Sequence, residues 1–155
     1  MISLETSIKH MIWSDQKFYD QIRLLPDESL KFTAAPGEWS VGRLLVHLVG
    51  SAEWFRFCLK KTKWTDLVTP LTMDDVRNLQ SYMGQLGQIF EEEVQMEDEL
   101  LEIQTDEETF SVRRSMILAQ AVMHTAEHKG QIATILKSNG LKINLDVLDL
   151  WHFTR

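Results

Sequence analysis

Two histidines one helical turn apart, His124 and His128 in the run HTAEH, are the residues whose type and spacing most directly suggest chemistry. Four residues carry a helix about 40 degrees past a full revolution, so both imidazoles share a face and can aim ring nitrogens at one point. On that stripe, Ile117, Ala121, His124, His128, Gln131 and Ile135 all point the same way, which turns the histidines inward. A third histidine, His47, lies one turn from Leu44, Leu48 and Ser51, at the margin of another apolar face. His47 stands about seven residues from the start of its helix and His128 about ten from the end of its own. If these helices run antiparallel, the side chains meet at similar heights. Three neutral imidazoles suit zinc, nickel, cobalt or iron and leave a position open for water or substrate, the arrangement of a catalytic centre. Such a cation acidifies bound water or ligates a substrate thiolate.

HTAEH also fits the H-x-x-E-H pattern of the inverzincin proteases, which would make Glu127 a general base. Only 27 residues follow His128, too few for the further acidic ligand those proteases carry downstream. Glu127 flanks His124 and is read either as a group that orients a ligand or moves protons, or as a surface carboxylate. There is no GxSxG, P-loop or GxGxxG. The single Cys58 lies roughly 16 Å along the helix axis from His47, and reads as a packed thiol in a chain with no disulfide and no CxxC.

The elements that must position these residues are helical. Leu4, Ile8, Met11, Ile12, Phe18, Tyr19 and Ile22 mark a first amphipathic helix ending before Pro26. Asp15 falls inside its apolar stripe and reads as a helix-edge carboxylate reaching solvent. After the Pro36-Gly37 turn, Ser40 caps a second helix carried by Val41, Leu44, Leu45, Leu48, Ala52, Phe55 and Leu59 to about Lys60. Residues 61 to 71 have no lasting period and read as a long crossover. Thr72 with Asp75 caps a third helix, in which Gly84 and Gly87 allow another helix to approach closely. The charged run Glu91-Glu92-Glu93, continuing to Glu97, Asp98 and Glu99, reads as a solvated face. A fourth helix spans about Val112 to Ser138, closed by Asn139-Gly140. No strand pattern is apparent, and the tail from Leu141 is apolar enough to pack on the bundle or on a partner. The expectation is an all-α single domain over residues 1–155.

At 155 residues, with 44% hydrophobic and 25% charged residues, the chain has ordinary globular composition. A net charge of -7 opposes binding to nucleic acid, which depends on Lys and Arg at phosphates. No apolar run approaches the roughly 18 residues of a membrane span, and MISLETSIKH lacks a signal-peptide layout, so the expected location is cytoplasmic.

GEWSVGRLLVHL resembles the start of helix two in DinB-like proteins, and HTAEHKGQI resembles their helix-four signature. These proteins are unrelated to the DNA polymerase of the same name. The resemblance implies a four-helix bundle, up-down-down-up with the long crossover between helices two and three, often a homodimer. It assigns His47, His124 and His128 to a three-His site for a divalent metal, zinc or nickel being the expected ions. Some relatives activate a low-molecular-weight thiol for transfer or isomerisation, so the leading expectation is a metal-dependent enzyme of the thiol S-transferase type acting on a small molecule. The rival is a non-catalytic dimeric stress-response or binding protein with the same fold.

Overall fold

The computed structural model describes residues 2–154. The chain runs α1 (Leu4–Ile22), a 3-10 turn (Asp27–Lys31), α2 (Val41–Lys60), α3 (Met73–Glu93), β1 (Leu100–Gln104), β2 (Thr109–Arg113), α4 (Arg114–Ser138), a second 3-10 turn (Asp146–Leu148) and the short α5 (Leu150–Phe153).

Each long helix starts where a side chain can satisfy its free amides. Ser3 accepts from the Thr6 amide at 3.1 Å, and Ser40 from the Arg43 amide at 3.2 Å. Thr72 and Asp75 form the reciprocal capping box expected of them, with Asp75 Oδ2 accepting from the Thr72 amide at 2.9 Å. Such a cap contributes about 1 kcal/mol. Gly140, at φ 79°, turns the chain out of α4 where the Asn139-Gly140 pair anticipates it.

Helices α1 and α2 each pack against both α3 and α4, around a core that includes Ile8, Phe18, Tyr19, Leu45, Leu86, Phe90, Leu118 and Ile132. The close approach expected at Gly84 and Gly87 is real. A Cβ at Gly87 would stand 3.0 Å from Ile12 Cγ1, and one at Gly84 would stand 3.2 Å from Gln16 Nε2. The tail packs on α1: Leu148 is buried, its carbonyl lies 2.8 Å from His10 Nε2, and the Phe153 ring sits 5.6 Å from Trp13.

Four expectations are corrected. The chain is mostly helical but not all-α, because residues 100–113 form an antiparallel hairpin with Leu101 opposite Val112 and Ile103 opposite Phe110. Val112 therefore belongs to β2 and α4 begins at Arg114. The turn uses no Asn-Gly; Thr105 Oγ1 instead accepts from the Glu107 and Glu108 amides at 3.2 and 3.0 Å. Asp15 does not reach solvent: it is 3% exposed and accepts from Lys129 Nζ on α4 at 2.8 Å. Glu93 leaves the solvated acidic face, being buried and paired with Lys60 and Arg114.

Candidate metal centre

The site lies on the seam between α2 and α4. The imidazole of His47 comes from the first half of α2, and His124 and His128 come from successive turns of α4. Ring centroids are 5.0 Å apart for His47 and His124, 4.7 Å for His47 and His128, and 4.3 Å for His124 and His128. One nitrogen from each ring lies within 4.8 Å of the others, and all three side chains are half-buried. Tetrahedral zinc at about 2.1 Å from each nitrogen would need them about 3.4 Å apart. The spacing in the structure is at most somewhat wider than that. The donor set fits a borderline divalent cation: three imidazoles, no competing carboxylate in the cluster, and an open side.

Burial and the neighbouring charges favour the neutral form of His124 and His47, the form a metal requires. Desolvation, with His128 and His47 close by, pushes His124 down to about 4, against a small opposing effect of Glu127. Desolvation, His128 and Arg43 lower His47.

Two polar neighbours orient the rings, and neither role is apparent from sequence. Gln131 Oε1 accepts from His128 Nδ1 at 2.7 Å. A carboxamide oxygen can only accept, so Nδ1 carries the proton and the Nε2 lone pair is free for the shared centre. The Ser51 hydroxyl lies 2.8 Å from His124 Nε2 and 3.5 Å from His47 Nε2, so it bridges the two helices inside the cluster. Both residues appear in the sequence as members of the inward stripes, but periodicity does not distinguish a ligand's partner from packing.

The turn of α4 carrying the histidines is fixed from behind. Thr125 and Lys129 face the core, and Lys129 Nζ donates to Ser14 Oγ at 2.7 Å as well as to Asp15. Glu127 is exposed, and among the described residues it makes no hydrogen bond to the three histidines; it acts on His124 through its charge. Cys58 is outside the cluster, buried as expected, with burial pushing its thiol up to about 11.

Trp39 stands beside the cluster, its ring 4.9 Å from that of His47, with the Arg43 guanidinium 4.6 Å over it. It lines two cavities. One, of about 660 Å³, is bounded by His128 and Gln131; the other, of about 640 Å³, by His47 and Arg43.

A sequence model of the DinB family matches residues 1–152. The chain belongs to the DinB family. This DinB family member is also similar in structure to a DinB-like protein from Bacillus cereus ATCC 10987, with a TM-score of 0.61 and 21% identity over 88% of this chain and 90% of that one. At that identity the likeness speaks for the fold. A search of the curated proteins finds no match. Family membership and the converging trio agree on a cluster that can hold a metal ion, and no helix of this DinB protein's described residues is long and apolar enough to cross a membrane.

Proposed function

We propose that this chain is a metal-dependent enzyme that holds one divalent cation, zinc or nickel, on His47, His124 and His128. In this reading the sulfur of a low-molecular-weight thiol displaces a leaving group from an electrophilic carbon of a small molecule, the new C–S bond replacing the bond to the leaving group, which departs with that bond's electron pair. The observation that carries the reading is the convergence of three imidazoles between two cavities that share Trp39 as a wall. A transferase brings two substrates to one point, and this arrangement supplies a space for each. A bound divalent cation supplies Lewis acidity that makes a thiol give up its proton at neutral pH. The chain's own residues do the rest. Gln131 holds the His128 tautomer, Ser51 offers a hydroxyl between His47 and His124, and Glu127, at the solvent edge, is the candidate to carry the released proton away.

The same reading takes the four long helices as an up-down-down-up bundle. Two sets of contacts support it. Ile12 meets Gly87 while Gln16 meets Gly84, so α1 and α3 run in opposite senses; His47 meets His128 while Ser51 meets His124, so α2 and α4 do likewise. A cytoplasmic setting, where small thiols are kept reduced, goes with this chemistry.

The test is a panel of electrophiles with different low-molecular-weight thiols, on protein purified without a nickel column and then loaded with zinc or nickel. His124→Ala is expected to stay helical, bind metal more weakly and lose thiol-dependent turnover, because one of three ligands is gone. Turnover that survives the substitution refutes the mechanism. A second reading, a dimeric binding protein without chemistry, is favoured by Met116 and Met123, exposed on α4 seven residues apart on one face. Light scattering showing a dimer, together with no turnover for any pair in the panel, would select it.

A further inference from the structure

Five of the chain's seven glycines have a local reason. Gly37 and Gly140 adopt φ 88° and 79°, which other residues resist. Gly42, Gly84 and Gly87 each face a neighbour 3.1, 3.2 and 3.0 Å from where a Cβ would stand. Gly50 and Gly130 have neither reason: a Cβ at either position would meet nothing within 4 Å. Both lie inside long helices, where glycine weakens the helix relative to alanine. Both also line the cavities that flank the histidine trio, Gly130 on the His128 side and Gly50 on the His47 side.

We propose that Gly130 is a specificity-determining position whose missing side chain keeps open a subsite for an uncharged, apolar group of the substrate, held beside His128. The inference rests on the metal-site reading for what happens at His128, but the subsite itself is argued from its walls. Trp39, Leu44 and Ile135 make it largely apolar, while Gln131 and Thr134 add polar groups. Glu38 is its acidic residue and no Lys or Arg lines it, so away from His128 its walls favour an uncharged group. A volume of about 660 Å³ suits a small organic molecule. A longer side chain at position 130 would start in open space and grow into the cavity, so it removes the subsite without moving the helices.

The experiment uses the full chain loaded with zinc, and two uncharged aromatic probes, 1-naphthol and 4-nitrobenzyl alcohol, titrated by calorimetry. Gly130→Ala is expected to raise Tm by about 2–4 °C, because it strengthens α4 and meets no neighbour. Gly130→Leu is expected to keep its helicity and zinc affinity and to bind the probes at least tenfold more weakly. Gly50→Leu, in the other cavity, leaves probe affinity unchanged. The proposal is overturned if wild type takes up neither probe, if Gly130→Leu binds them as wild type does, if Gly50→Leu weakens them equally, or if Gly130→Ala lowers Tm. Zinc that fails to bind wild type, with probe uptake still dependent on Gly130, would defeat the metal reading and leave the subsite standing.

Discussion

Replacing Asp15 with asparagine should destabilise the protein by about 3 kcal/mol, at the low end of the cost of breaking a buried ion pair. The side chains of Lys129 and Asp15 are 10% and 5% exposed, and their charged atoms lie 2.8 Å apart. Asparagine keeps the shape and can still accept from Nζ, but leaves the Lys129 charge without compensation in the core. At about 2–4 °C per kcal/mol for a chain of this size, Tm falls by roughly 6–12 °C. Lys129→Met should behave differently with pH. Burial outweighs the lysine in setting Asp15 and already raises its carboxyl above 3.8. A raised native value means the contribution of Asp15 is fully present below the ordinary carboxylate range and is lost as pH rises through the native value. Without the lysine that loss steepens, so Lys129→Met is costly at neutral pH and approaches wild type as acid protonates Asp15. Asp15→Asn has no carboxylate at that position, so its own stability lacks this pH dependence. The double variant Asp15→Leu/Lys129→Met, with no charge left to bury, should recover most of the loss. Urea unfolding followed at 222 nm between pH 4 and 7 measures all three. An Asp15→Asn deficit below about 1 kcal/mol, or a Lys129→Met deficit independent of pH, would refute the reasoning.

Two further outcomes concern the histidines. Gln131→Leu should lower zinc affinity by about 10- to 100-fold, since it frees the tautomer of His128, while Gln131→Glu, which still accepts at Nδ1, restores it; imidazole nitrogen shifts that report the same tautomer in wild type and Gln131→Leu would contradict this. In metal-free protein the His124 ring should titrate at about 4 rather than near the 6.5 of an ordinary histidine, because burial and two neighbouring imidazoles disfavour its charge. Stability should accordingly fall as pH drops from the ordinary histidine range toward 4, and zinc should abolish that titration, both readable by proton NMR.

The helices and the shared face of the α4 histidines are legible because each depends on short-range pattern. Ser40, the Thr72–Asp75 box and Asn139-Gly140 act within a turn of their own positions, and the inward stripe of α4 by itself puts His124 and His128 on one face. The hairpin was not legible because its strands are short, only Ile103 of them is deeply buried, and its turn is closed by a threonine side chain rather than by Asn-Gly. The alternation Leu101-Glu102-Ile103 and Phe110-Ser111-Val112 was the available signal, too brief to outweigh the neighbouring helical period. The Asp15–Lys129 pair joins residues 114 positions apart, and no local rule ties an acidic oddity in α1 to a lysine in α4.

These failures follow a physical division. Local pattern specifies which face of a helix is inward, whereas the state of an inward polar group depends on what the opposing helix brings to it. Hence α4 between His124 and Ile135 could be read as one apolar stripe bearing two histidines, yet its individual positions do separate things. Lys129 anchors the turn to α1, Gln131 fixes a ring, and Gly130 leaves a space where an alanine would strengthen the helix. A stretch that gives up helix strength at Gly130 and buries a charge at Lys129, close to one histidine–glutamine bond, departs from what its own stability alone would select, as the proposed subsite requires.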